Sequence, residues 1–238
     1  MKAFIVPGRG VLIVAVMALI ITCARLPVIK PVDPEAMQDT RERCRRPFLD
    51  SSYRFIHSIE VSFPGGRRGT VMGITLVDPS DKTVHSVIMT IEGFVLFDAR
   101  YEKEVRVNRA LPPFNAEQFA GYMMDDVRLM FLAPEGKLAD AGVLADGSTA
   151  CRYHGNKGTT VDVVVHKDDS WNIETYSNSN ELLRKIRAVE VRNGIPNMVE
   201  LHGFGFREYT LRLKLISAEA VSPRVNQAPP GDIPEDEE

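Results

Sequence analysis

Three cysteines, five histidines and the adjacent carboxylates Asp125 and Asp126 are the residues of this 238-residue chain best suited to chemistry. Nucleophilic or metal chemistry needs such groups close together. His57, His85, His154, His166 and His202 are scattered through strand-like segments, with no i,i+4 pair on a helix. Cys44 and Cys151 belong to no Cys-x-x-Cys or Cys/His pattern of the kind that holds zinc. Asp125 and Asp126 are neighbours on a predicted helix, where adjacent side chains diverge, so both read as solvated acids. His202-Gly203-Phe204-Gly205-Phe206 is glycine-rich, but no helix follows it. It reads as a turn or bulge before a strand, not as a phosphate loop. There is no GxSxG elbow, P-loop or HExxH motif. The expectation is a protein that is not an enzyme, with no catalytic residues, no metal and no cofactor.

Cys23 stands in a different context. Met1–Gly10 carries Lys2 and Arg9, Val11–Thr22 is apolar apart from its last residue, and Cys23, Ala24 and Arg25 follow. A basic start, a short apolar run and a small-residue end make an export signal. The uncharged stretch is shorter than the roughly 20 residues of a membrane-spanning helix. Ile20-Ile21-Thr22-Cys23 resembles the lipobox of bacterial lipoproteins, in which the cysteine is acylated, with palmitate for example, and becomes the new N-terminus. It departs from that pattern at Ile20, where Leu is usual, and at Thr22, where Gly, Ala or Ser is usual. Plain cleavage after Ala24 and an uncleaved signal anchor are the alternatives. Cys23 is the candidate lipid anchor, and two acyl chains would hold it stably where one is marginal. Export also permits a disulfide. Cys44 and Cys151 allow one bridge, or they remain two unpaired thiols.

Charge excludes one class of partner. The formal net charge is −3, and five acids lie in the last seven residues, so the rest of the chain is close to neutral. Nothing resembles the basic footprint of a nucleic-acid binder. A hydrophobic share of 44% is enough for a sizeable core.

The elements follow from periodicity. Pro27, Pro31 and Pro34 keep residues 23–34 extended, as a tether between anchor and domain. Asp33 and Pro34 then start a short helix to about Arg45. Alternation predicts strands at 53–63, 70–77, 84–91, 94–98, 105–108, 161–165, 171–175, 185–191, 198–202 and 209–215. Asn115 caps a helix from Ala116 to about Phe131, with Phe119, Tyr122, Met123, Val127, Met130 and Phe131 on one face. Arg67-Arg68 reads as a solvated turn. Residues 223–238, rich in proline and acid, read as a disordered tail. The expected organisation is a signal peptide at 1–22, an anchor and tether at 23–34, one domain at 35–222 and the tail. The fold class is α+β: a single large antiparallel sheet of about ten strands with helices.

A curved sheet facing an apolar helix makes either a closed core or a ligand cavity. The residues expected to line it are Phe55, Ile59, Met72, Ile74, Met89 and Ile91 from strands, and Phe119, Met123 and Val127 from the helix.

This order of elements resembles the outer-membrane lipoprotein-localisation (LolA/LolB-like) superfamily, and within it the small uncharacterised bacterial lipoproteins. The segments that carry the resemblance are Val87–Phe94, Leu111-Pro112-Pro113-Phe114-Asn115 with the helix to Leu132, and Tyr209–Leu215. It implies an incomplete β-barrel, lidded by helices, that holds acyl chains in its concavity. The implied partners are a membrane, reached through the lipid anchor, and a lipid or lipoprotein ligand. The family's membrane-anchored receptors also insert an exposed apolar loop residue, for which this sequence offers no obvious counterpart. Ala24 after the cysteine, in place of the Asp that commonly retains enteric lipoproteins in the inner membrane, implies the periplasmic side of the outer membrane. The competing expectation is a structural or assembly lipoprotein that docks an envelope protein and has a closed core.

Overall fold

A computed structural model of the chain describes residues 26–116, 118–155, 158–205 and 208–221. The predicted signal, Cys23 and the predicted tail lie outside the described residues. In chain order the elements are β1 (Lys30–Pro31), a 3-10 turn (Pro34–Ala36), α1 (Met37–Arg45), β2 (Tyr53–Ser62), β3 (Arg68–Asp78), β4 (Thr83–Met89), β5 (Val95–Tyr101) and β6 (Val105–Ala110). Then come α2 (Phe119–Phe131), β7 (Lys137–Val143), β8 (Thr149–His154), β9 (Thr160–Val165), β10 (Trp171–Tyr176), β11 (Leu182–Arg192), β12 (Ile195–Gly203) and β13 (Tyr209–Ala220).

Among the described residues all thirteen strands form one sheet, in the order β1-β7-β8-β9-β10-β11-β12-β13-β2-β3-β4-β5-β6. Each neighbouring pair is antiparallel, so short turns suffice for most connections. The sheet is open, with β1 and β6 at its edges, and both helices pack on its concave side. The architecture is therefore α+β. Three strands exceed the ten that alternation predicts: β1, β7 and β8. Lys-Pro is too short to show a period. Lys137–Val143 and Thr149–His154 are rich in small and polar residues, so neither presents a clear apolar face.

The helices differ in what holds them. α2 buries Met124, Val127, Met130 and Phe131 against β4, β5 and β6. It starts at Phe119, three residues later than an Asn115 cap predicts, and Gln118 precedes it with φ 64°. α1 buries only Thr40 and Cys44. Such a polar helix gains little from apolar burial, and a disulfide from Cys44 to Cys151 on β8 fastens it (Cα–Cα 6.1 Å).

One contiguous core fills the concavity. Phe55 on β2 stacks on Phe131 of α2 with ring centres 4.8 Å apart. Phe97, Phe114 and Phe119 form a second aromatic group near the start of α2. Val163, Ile173, Ile186, Leu201 and Leu213 continue the core across β9 to β13.

Candidate ligand cleft

Strand register decides which residues face the concavity. Phe55, His57 and Ile59 face inward, opposite Thr75, Gly73 and Val71 of β3. Ile88 and Phe97 pair on that same inner face. Phe55 and Val127 are buried there, and Ile59, Phe119 and Met123 pack against the core while half-buried.

Four of the expected lining residues lie elsewhere. Met72 pairs with Ser58 and Met89, and Ile74 pairs with Ile56 and Val87, all on the convex outer face. Met72, Ile74 and Met89 therefore point away from α2. The physical reason is that residues 70–77 and 84–89 are apolar at both odd and even positions, so alternation alone does not say which set faces in. Ile91 sits in the β4–β5 turn, 66% exposed, with Phe94 beside it at 56%. This turn is an exposed apolar loop. Its signal was Ile91 and Phe94 flanking the tight Glu92-Gly93 connection.

The space beneath the inner face of α2 is packed with side chains, and a different opening remains. A cleft of about 550 Å³ lies between the α1–β2 connection and the ends of β9 to β12. Phe48, Leu49, Tyr53, Val165, Trp171, Val191 and Ile195 give it an apolar lining. Glu42, Arg45, Arg46, Asp50 and Asp169 supply its charged residues, with Arg46 and Asp169 paired at 3.4 Å. Trp171 is 2% exposed, and its indole N–H finds no acceptor in the protein. A buried donor without a partner costs about 1–3 kcal/mol. The disulfide helps to shape the cleft, because it holds α1 over β8 and so fixes the α1 side of the opening.

A buried polar cluster bridges α2 and the sheet. Asp126 is 5% exposed and accepts a 2.7 Å hydrogen bond from Arg184 Nε of β11 and another from the Tyr209 hydroxyl of β13. Burial pushes the Asp126 carboxyl above its ordinary range, against the opposing pull of the Arg184 guanidinium. Burial also raises the Tyr209 hydroxyl, reinforced by the Asp126 charge. Gly203 makes room for this arrangement, since a Cβ there would lie 2.3 Å from the Tyr209 ring. Asp125 is exposed as expected, but Asp126 is not a solvated acid. Its partners are 58 and 83 residues away in the chain, so the sequence carried no local signal of them.

Two further histidines have structural surroundings. His57 is buried near Phe55 and Phe131, and burial lowers its pKa from 6.5 to about 4. His166 sits between Ser148 Oγ at 2.8 Å and Asn172 Nδ2 at 3.0 Å. That set superficially suits nucleophilic chemistry, but Ser148 is buried and none of the three lines the cleft. The cluster ties the β7–β8 turn to β9 and β10. Among the described residues, no three His, Cys, Asp or Glu converge as metal ligands, and no helix is long and apolar enough to cross a membrane.

The chain has a LolA-like fold. It superposes on a LolA superfamily protein from Nitrosomonas europaea with a TM-score of 0.51 and 12% identity, covering 79% of this chain and 94% of that one. A DUF1329 family protein from Desulfovibrio piger matches with a TM-score of 0.44 and 14% identity, over 83% of this chain and 96% of that one. At these identities the likeness concerns the fold alone. No protein-family model and no curated protein matches the chain.

Proposed function

We propose that this chain is an exported cell-envelope lipoprotein that binds an acyl chain, of a lipid or of a lipidated protein, in the cleft beside α1. In this reading residues 1–22 are the signal peptide, Cys23 carries the lipid anchor, and the domain stands on the periplasmic side of the outer membrane. The observation that carries it is the cleft itself, whose lining combines seven apolar or aromatic side chains with five charged ones. Each methylene buried there would contribute about 0.8 kcal/mol, so a partly buried chain suffices for micromolar binding. The exposed Ile91 and Phe94 turn suits contact with an acylated ligand. In this reading the cleft binds its ligand, and no catalytic step is assigned to its Glu42, Asp50 or Asp169 carboxylates.

Trp171 is the sole tryptophan of the chain, so its fluorescence reports on the cleft directly. Titration with a long-chain fatty acid should shift its emission, and native mass spectrometry should show added lipid. Ile195→Arg should abolish both responses. No bound lipid and no emission change in the parent protein would sink the reading.

The tightly packed space beneath α2 favours a second reading, a lipoprotein that docks an envelope protein through its surface. Crosslinking in cells that captures one stoichiometric partner, from a protein free of lipid, would support it over the first.

A further inference from the structure

Residues ahead of α1 are fastened to the sheet. Lys30 and Pro31 pair with Val143 and Gly142 of β7. Gly142 is needed for that approach, because a Cβ there would lie 1.9 Å from the Lys30 carbonyl oxygen. The Pro27 carbonyl accepts a 2.9 Å hydrogen bond from Arg152 on β8. Arg152 is itself held by a bidentate pair with Asp162 of β9, at 2.7 and 2.6 Å, and both are buried. Residues 27–31 are therefore a docked strap and not a free tether.

We infer that this strap sets how the domain stands on a lipid bilayer, holding the outer side of β7 and β8 toward the headgroups. The inference rests on the reading of Cys23 as an acylated N-terminus. Four residue steps separate Cys23 from Pro27. Whatever their conformation, they span at most about 14 Å. A tether left free as far as Pro34 would reach about 38 Å and would impose no orientation. The outer face of β2 lies six strands along the curved sheet from β8, about 29 Å away, and marks a side turned from the bilayer.

The test uses the full chain with its own N-terminus, reconstituted in vesicles of phosphatidylethanolamine and phosphatidylglycerol. One fluorescent label is placed at Ala139→Cys on β7 or at Glu60→Cys on β2, both exposed positions. A lipid with a nitroxide on its headgroup should quench the label at 139 several-fold more than the label at 60. Arg152→Ala and, independently, Gly142→Val should bring the two sites to equal quenching while the protein still floats with vesicles. Gly142→Val leaves the Arg152–Asp162 pair in place, so agreement between the variants separates strap release from damage to β8. Equal quenching in the parent protein that floats, or asymmetry that survives both variants, overturns the inference and leaves the anchor standing. Failure to float, or flotation that survives Cys23→Ser, overturns the anchor reading and this inference with it.

Discussion

Asp126 on α2 and Arg184 on β11 meet at 2.7 Å inside the concavity, 58 residues apart in the chain. The pair pins the middle of the helix across the sheet, away from the strands that hold its apolar face. Burying two charges is costly, and their mutual attraction with the Tyr209 hydrogen bond offsets that cost. Removing one partner leaves the other uncompensated. Asp126→Ala should therefore lower stability by about 2–4 kcal/mol. The double variant Asp126→Leu/Arg184→Met should recover most of that loss. Urea denaturation of the three variants measures both outcomes.

His57 predicts a pH dependence. Its folded-state pKa is about 4, below the ordinary 6.5, because burial disfavours the imidazolium. Between those values the unfolded chain binds the extra proton, so stability rises with pH. This contribution is fully present above pH 6.5 and is lost as pH falls through 4. The difference amounts to about 3 kcal/mol. His57→Leu should flatten the stability profile between pH 7 and 4, and an unchanged profile would show that His57 is not the group responsible.

The two faces of the β2–β4 region should respond differently to substitution. Phe55→Ala removes a buried ring stacked on Phe131 and should cost about 3–5 kcal/mol. Met89→Gln changes a half-buried residue of the convex face and should cost less than about 1 kcal/mol. Comparable losses for both would contradict the register that places them on opposite faces.

The disulfide should matter most where apolar burial is least. It closes a sequence separation of 107 residues. Replacing both Cys44 and Cys151 by serine should lower stability by about 2–5 kcal/mol. Hydrogen exchange should show α1 amides losing protection first, while β10 to β13 remain protected. If α1 keeps its protection, Thr40, Phe48 and Leu49 hold it without the bond.

Local pattern in the sequence was enough to place α1, α2 and ten of the strands, because a strand or helix with one apolar face announces its period. The turns between them followed from Gly, Pro and Asp. β7 and β8 escaped because their residues are small and polar, and their place beside β9 depends on pairing with distant strands and with α1. Of the expected cavity residues, Phe55, Ile59, Phe119, Met123 and Val127 do share the concave side. Met72, Ile74 and Met89 do not, because their strands are apolar on both faces.

By itself, the sequence determined the class: an antiparallel sheet with two helices, preceded by a segment patterned like an export signal. The tertiary structure alone decided which face of β3 and β4 is inside, and that Asp126 is a buried partner of Arg184. It also decided that the chain from Pro27 to Pro31 is docked, and that the open space lies beside α1, not beneath α2. Period-2 and period-3.6 patterns are properties of neighbouring residues, and these four outcomes depend on contacts between residues dozens of positions apart. Only register and packing bring such residues together.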